Sequence, residues 1–567
     1  MDVRLSGAGR PAWEGDQPLG AVADLDQPEP RTGAAAVLGA EVGLAGKVTR
    51  GLAWSLVNSV VGRVGQLAVG ILLAHLLAPR DFGVFAVAMV AYTIVISVSE
   101  LGVSVALVRR PADGARLGPT VTTMSLLSSS VLVAGLWAAA PAIAAQLRVP
   151  AATGVLRVLS LAVLVAGVAA VPGALVQRDF QQKWRFAADS VNLVVSTAVV
   201  VVAALLGAGA YGLAWSRVAG NAASTVVYFL AANERYRPGF DRAVARELLV
   251  FGLPLAGASV LAFAVMNVDY VVVGRAWGPV VLGYYVLAFN LSGWPVAAFS
   301  TMARSVALPA FARLRAVPGA AGEAFVAAGR SLLIASVLVS VMLAVLARPV
   351  IHVVYGQRWS AAAVPLMFLA TLGTVRVLME LAYDFLVALG RTRIVLLVQG
   401  VWFLALVVLL PVGARLGGLA GVGAGHLVAA LCVVIPVQAA ALHRAGVPMR
   451  AVARSWARPL VAGAVAAAVT AWSARWLSSD LATLALAGSL GTLAYLVVVG
   501  PALPAQVGWL APGRWLSALR RLARSPAAGP VPVPVAAPLP VVAPALAAQP
   551  AGAEPSGSTT ASERLPR

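Results

Sequence analysis

Cysteine, lysine, histidine and acid are all scarce in this chain, and each shortage removes a class of explanation. Cys432 is the only cysteine, so there is no internal disulfide and no thiolate metal site. It lies inside an apolar run, which leaves the redox compartment unreadable. Lys47 and Lys183 are the only lysines; Arg supplies the rest of the 42 cationic residues, against 22 acids. With charged residues at 11% and apolar residues at 60%, there is too little charge to coat an aqueous globule. Long polar loops are missing too. The longest gap between apolar stretches is about 20 residues, too short to house a catalytic domain. The first 46 residues hold no positive stretch leading into a short apolar core, which argues against a signal peptide and leaves the first helix to direct insertion.

What the chain has instead is repetition. About fourteen apolar stretches of roughly 20 residues run from Gly51 to Pro504, each long enough to cross a hydrocarbon core about 30 Å thick. They predict an all-α polytopic membrane protein with spans at 52–78, 83–108, 119–146, 153–176, 186–208, 211–232, 247–274, 279–303, 325–347, 361–388, 393–413, 417–442, 455–476 and 479–503. Basic residues crowd every second gap, for example Arg109, Arg110 and Arg116, then Arg178, Lys183 and Arg185. By the positive-inside rule, both termini are expected in the cytoplasm. The net charge of +20 and pI of about 11.3 are spread over these short loops, so they point to anionic lipid and not to nucleic acid.

A pattern also returns after about 200 residues. Pro79, Gly83, Phe85 and Ala88 line up with Pro279, Gly283, Tyr285 and Ala288, each time between a helix going out and one coming back. Six helices precede the second copy, and an even number per unit returns the chain to the same side, so the two units have the same orientation and are related by an axis along the membrane normal. The expected organisation is a polar tail (1–46), two pseudo-symmetric six-helix lobes around a central cavity (47–246 and 247–444) and two extra C-terminal helices (445–504). A basic interfacial segment (505–524) and a Pro/Ala-rich tail (525–567) follow. In the former, Trp515, Leu516, Leu519 and Leu522 oppose Arg514, Arg520, Arg521 and Arg524.

Ionisable side chains at bilayer depth cost several kcal/mol unless paired or hydrated, which makes each a site candidate. They are Arg63, Glu100, Asp189, Arg217, Asp269, Arg376, Glu380, Asp384 and His426. Arg376, Glu380 and Asp384 share one face of a span, where Arg376 and Glu380 can pair within the helix and still meet a polar lumen. Arg63 has no acid within four residues, so it faces water, an acid on another helix or an anionic substrate. Arg217 is near enough to a helix end to snorkel. Asp269, beside Asn267 and Tyr270, either binds a coupling cation or pairs with an arginine. Glu100 and Asp189 read as interface residues, and His426 as a packed histidine in competition with a proton relay. Gly417, Gly421 and Gly425 follow no strand, so they are read as helix packing and not as a nucleotide loop.

Four strings now stand out together. They are Leu77 to Ala86 followed by Ser99-Glu100-Leu101-Gly102; Pro172 to Phe186; Asn267 to Ala288 with Asp269-Tyr270 and Gly283-Tyr284-Tyr285; and Leu308 to Leu314. Over about 47–505 the chain resembles bacterial polysaccharide exporters of the Wzx type, and among them the WzxC-like exporters, within the multidrug/oligosaccharidyl-lipid/polysaccharide superfamily. The resemblance implies a V-shaped, partly cationic cavity and a polyprenyl-diphosphate-linked oligosaccharide as substrate. The cargo would cross from the cytoplasmic to the outer leaflet of the bacterial inner membrane during lipopolysaccharide, exopolysaccharide or capsule synthesis. No cofactor is implied; membrane lipids, H⁺ or Na⁺ coupling and polysaccharide assembly partners are. On that reading Arg63, Arg376 and Arg217 contact the diphosphate, while Asp269, Glu380, Asp384 and Asn267 balance charge or couple an ion. The alternatives are a lipid-linked peptidoglycan precursor flippase, a cation-coupled multidrug exporter and, from another class, a membrane glycan polymerase or ligase.

Overall fold

The runs of Ala, Val, Leu and Gly that mark the spans carry little intrinsic helix preference. Hydrocarbon offers no hydrogen-bond partner to the backbone, so a spanning segment must satisfy itself internally. In the structure, a computed structural model, these runs are helices. It describes residues 65–502, apart from 66, 100–106, 108–113, 180, 235, 316 and 318. Arg63, Glu100, the basic segment at 505–524 and both tails lie outside the described residues.

In chain order the helices are α1 (Leu67–Leu76), α2 (Pro79–Ser99), α3 (Gly114–Gln146), α4 (Ala152–Arg178), α5 (Gln182–Leu205) and α6 (Ala210–Ala231). There follow α7 (Arg242–Leu314), α8 (Ala320–Val345), a short α9 (Ala347–Tyr355), α10 (Ala363–Ala388), α11 (Thr392–Val428), α12 (Ile435–Arg444), α13 (Met449–Ala474) and α14 (Gly488–Val499). No strand occurs among the described residues. Ten helices there are long and apolar enough to cross a membrane, and the protein is a multi-pass membrane protein.

Starts and reversals follow local chemistry. Pro79 opens α2 where its missing N–H costs nothing, and the Asp81 carboxylate in the first turn accepts from the Ala78 N–H at 3.1 Å. Asp241 caps α7, its Oδ1 accepting from the Ala243 N–H at 2.8 Å. Within α7 the chain turns back at Gly278 (φ 77°), a left-handed conformation that suits glycine. The reversal brings the Tyr285 hydroxyl within 2.9 Å of the Asp269 carboxylate. A straight helix would hold those residues about 24 Å apart. A second reversal, at Gly417 and Gly418, folds α11 on itself so closely that a Cβ on Gly413 or Gly421 would overlap the other's carbonyl oxygen. Gly413, Gly421 and Gly425 are therefore packing residues, whereas nothing stands within 4 Å of a Cβ on Gly417, which lies at the reversal itself. Expected spans 247–274 with 279–303, and 393–413 with the start of 417–442, are thus the arms of two hairpins. The expected count of fourteen draws partly on 52–64, outside the described residues.

Helices α4, α5 and α6 pack together with α2, and α3 packs on α4. Helices α8, α10, α13 and α14 form a second set, to which α11 adds through α10. The long α7 hairpin runs along both α2 and α10 and so joins the sets. Where α2 meets α7, Gly83 lies on the Pro279 carbonyl and Gly283 on that of Pro79. The indole of Trp359, in the 3-10 turn Gln357–Ala362, is fully buried beside this crossing between Phe82 and Tyr284, with centroids 5.2 and 6.0 Å away. Its N–H donates to the Ala74 carbonyl at 2.8 Å, and the Arg358 guanidinium donates to the same oxygen.

Candidate functional site

A cavity of about 640 Å³, its open mouth included, lies between α7, α10, α11 and α12. Arg304 enters from α7; Arg376, Glu380 and Tyr383 from α10; Gln399 and Trp402 from α11; and Gln438 from α12. Positions 376, 379, 380 and 383 recur at helical spacing, so one stripe of α10 forms a wall. Polar side chains set among the apolar residues of these helices can hold water or a polar ligand within the membrane's thickness.

The charges divide into paired and unpaired. Asp384 is buried, and its Oδ2 accepts from Arg304 Nε at 3.2 Å. That carboxylate balances one of the two guanidinium groups at the cavity. Arg376 is placed differently. Its guanidinium carbon stands 5.4 Å from the Phe289 ring centroid, and it forms no ion pair with Glu380. The intrahelical pair allowed by the sequence is absent because Arg precedes Glu by four residues, the weaker order for such pairs, and an aromatic face is within reach. Among the described residues, Gln399 Oε1 and Trp402 Nε1 are buried with no hydrogen-bond partner, while Gln438 Nε2 donates to the Met379 carbonyl at 3.1 Å. The cavity thus presents a cation, an acceptor and an indole donor that the protein itself does not satisfy.

Behind Phe289 the polar chain continues. Phe289 meets Tyr270 edge-on at 5.5 Å and stacks on Tyr285 at 6.3 Å. Asp269 accepts from the Tyr285 hydroxyl at 2.9 Å and from the Tyr270 N–H at 2.9 Å, and its Oδ2 lies 3.5 Å from His426 Nε2. Of the two openings left by the sequence, a coupling cation or an arginine partner, no arginine ion-pairs with Asp269 among the described residues. Its basic neighbour is the His426 imidazole. Asn267 donates to the Phe263 carbonyl one turn back, at 2.8 Å. Arg217 sits exposed on α6 and does not line this cavity. The sequence reading missed Arg304, because the span was expected to end at 303, whereas α7 runs on to Leu314. Arg304 and Asp384 stand 80 residues apart, and no spacing rule connects them. The buried but unpartnered Trp402 and Gln399 carry no sequence signal beyond being polar-tipped residues in an apolar run.

Residues 72–364 match the model for the family described as polysaccharide biosynthesis protein, just over half of the chain. The chain belongs to that family. All four strings quoted from the sequence fall within the match. Curated relatives include the succinoglycan biosynthesis transport protein ExoT of Rhizobium meliloti, 27% identical over 56% of this chain and 64% of its own. The lipopolysaccharide biosynthesis protein WzxC of Escherichia coli is 22% identical over 67% and 78%, and the teichuronic acid biosynthesis protein TuaB of Bacillus subtilis 23% over 52% and 61%. The matches thus span less than two thirds of ExoT and TuaB. Among solved structures, the lipid II flippase MurJ in an inward closed conformation aligns with a TM-score of 0.66 at 13% identity, covering 80% of this chain and 99% of that one. An inward-facing multidrug resistance MATE family transporter aligns at 0.53 and 17%, covering 68% and 96%. The chain thus shares its fold with these two proteins.

Proposed function

We propose that the chain is a flippase that carries polyprenyl-diphosphate-linked oligosaccharide from the cytoplasmic to the outer leaflet of a bacterial inner membrane, with both termini cytoplasmic. It is then a transporter and not an enzyme. The observation that carries this reading is the cavity within the membrane-crossing helices, where Arg376 has no carboxylate partner and Gln399 and Trp402 keep unused polar atoms. A diphosphate and a sugar cannot cross hydrocarbon unshielded, and a planar guanidinium offers paired donors to phosphate oxygens. An indole beside an amide suits a sugar, whose faces are partly apolar and whose rim is hydroxyl. The names of ExoT and WzxC, a succinoglycan biosynthesis transport protein and a lipopolysaccharide biosynthesis protein, support a glycan as cargo. On this reading Arg376 contacts the diphosphate, with Arg63 and Arg217 as further contacts from the 47–246 lobe. Asp384 and Glu380 balance charge, and Asp269 with His426 couples a proton, Asn267 standing beside them.

The test is the full-length protein in proteoliposomes with a fluorescent polyprenyl-diphosphate oligosaccharide, following the label that becomes accessible to an external quencher. Transfer above empty vesicles is expected, with a loss in Arg376→Gln. Transfer no faster than in empty vesicles would rule the function out. Equal transfer by Arg376→Gln at equal protein level would rule out the site. A lipid-linked peptidoglycan precursor in the same vesicles separates the rival cargo.

A further inference from the structure

Helices α5 and α6 face each other with polar side chains at mid-height, and none of these lines the cavity between α7, α10, α11 and α12. Asn192 and Asn221 stand near the middle of their helices, about 15 Å or more from either end, which is the level of the hydrocarbon. Asn192 Nδ2 donates to Asn221 Oδ1 at 3.2 Å and to Ser224 Oγ at 3.5 Å. Gly220 makes room for this contact: a Cβ there would stand 3.0 Å from Ser196 and 3.1 Å from the Asn192 side-chain oxygen. Leu213, Arg217, Gly220, Asn221 and Ser224 follow one another at spacings of three and four and so share an arc of α6. Leu213 packs in one cluster with Leu73 of α1 and Val200 of α5, so that arc looks into the helix set and not at lipid. Arg217 is exposed on the same arc and, among the described residues, holds no hydrogen bond or ion pair. A side chain exposed on an inward arc borders an opening between helices.

The two amides do not satisfy each other. An asparagine side chain carries two N–H donors and an acceptor oxygen. Asn192 uses its N–H groups on Asn221 and Ser224, and Asn221 uses its oxygen in return. Among the described residues, the Asn192 oxygen and the Asn221 nitrogen therefore hold no hydrogen bond. Both residues are half-buried, so the two atoms remain within reach of a partner in the opening. Hydrocarbon cannot supply that partner, and leaving the atoms against it is costly. A hard cation asks for oxygens alone and a phosphate for donors alone. A donor and an acceptor side by side match a sugar hydroxyl, which gives one hydrogen bond and takes another. An interhelical bond accounts for the 3.2 Å contact, but not for the open atoms or for Arg217 beside them.

We infer that Asn192, Asn221 and Ser224 form a sugar site between α5 and α6, which takes hydroxyl groups of the cargo's oligosaccharide, with Arg217 one turn away along α6. The inference deepens the cargo reading above and rests on it. Arg376 then answers to the diphosphate and the amides to the sugar, so the two sites separate by chemistry.

The experiment is thiol labelling of the full-length protein in vesicles by a water-soluble maleimide. The background carries Cys432→Ser, which removes the only native thiol. Ser224→Cys is compared with Val226→Cys, whose valine is exposed on the opposite arc of α6. Only a hydrated thiol ionises and reacts, so Ser224→Cys is expected to label at least tenfold faster. A polyprenyl-diphosphate oligosaccharide should slow that labelling several-fold, and polyprenyl diphosphate without sugar should not. Adding Asn221→Ala is expected to abolish the protection. On its own, Asn221→Ala should lower transfer of the labelled glycolipid about 3- to 10-fold, the worth of one or two neutral hydrogen bonds. Ser224→Cys labelled no faster than Val226→Cys would make the contact a dry helix pair and overturn the site. Equal protection by the two lipids, or full protection in Asn221→Ala, would overturn it as well. Protection by the sugar-bearing lipid alone, with no transfer by the wild type, would instead end the flippase reading and leave the sugar site standing.

Discussion

Gly83 and Gly283 occupy equivalent places in one crossing: each lies on the carbonyl oxygen of the proline that opens the other's helical segment, Pro279 and Pro79. The sequence repeat at about 200 residues is thus realised as a reciprocal contact. A methyl group at either position overlaps backbone, which has no flexible side chain to give way. Gly83→Ala and Gly283→Ala are each expected to cost about 1–3 kcal/mol of stability. Thermal melting checks this against Gly293→Ala, where nothing stands within 4 Å.

Trp359 closes the same crossing by ring contacts and by one hydrogen bond, and two substitutions separate them. Trp359→Phe keeps the ring between Phe82 and Tyr284 and loses the bond to the Ala74 carbonyl, for about 1 kcal/mol. Trp359→Ala empties the site and should cost about 3–5 kcal/mol. Equal melting points for the two would show that the rings contribute nothing.

The Arg304–Asp384 pair should appear as coupling. Asp384 is buried while the Arg304 side chain is about a quarter exposed, so water screens part of the interaction. Asp384→Asn is expected to destabilise by about 1–3 kcal/mol, and Arg304→Met with Asp384→Leu by less than the sum of the single changes. A double-mutant cycle on melting data reads the difference, and strict additivity would contradict the pair.

In the first cavity, Arg376→Gln is expected to lower transfer of labelled glycolipid about 10- to 100-fold, the worth of one charge-assisted hydrogen bond. Arg376→Lys should restore part of it, and Glu380→Gln, which removes a balancing charge from the lining without breaking an ion pair, should lower it less than Arg376→Gln does. Initial rates in proteoliposomes at matched protein content measure the three. Similar rates for wild type and Arg376→Gln would remove Arg376 from the site.

Outside the membrane, acid should loosen the loop after α6. Arg178 at the end of α4 bonds Glu234 at 3.0 Å, and Tyr236 also donates to that carboxylate. These bonds, Arg178 first, hold the Glu234 carboxyl below the usual glutamate range. A lowered folded pKa means the contribution is present at neutral pH and is lost as pH falls through that lowered value. Hydrogen exchange across 232–241, corrected for intrinsic rates, is expected to speed up several-fold at that point. Glu234→Gln should show the faster exchange at every pH, and a flat wild-type profile would contradict the link.

Much of the fold was legible because membrane insertion is a property of one chain segment at a time. Length and hydropathy mark each span, and glycine with proline marks the breaks, so the reversal at Gly278 falls between two expected spans and that at Gly417–Gly418 on the first residues of another. Less of the site was legible. Arg376 and Glu380 were picked out by depth, yet the pair that their spacing allows is absent because Arg376 turns to Phe289, a residue of another helix. Arg304 looked like a loop charge, and its partner Asp384 is far along the chain. Asp269 was singled out as an acid at bilayer depth and it is buried, but its Tyr285 and His426 neighbours arrive from across a hairpin and from a later helix.

The sequence by itself determined that the chain crosses a membrane many times, where most crossings begin and end, and that its first half is echoed in its second. These follow from the transfer cost of residues, which adds up along the chain and needs no neighbour. Which side chains meet was decided by tertiary packing alone. Helix rotation and tilt aim each side chain, and they are set by contacts such as Gly83 on Pro279 and Trp456 on Gly329, which no one-dimensional period contains.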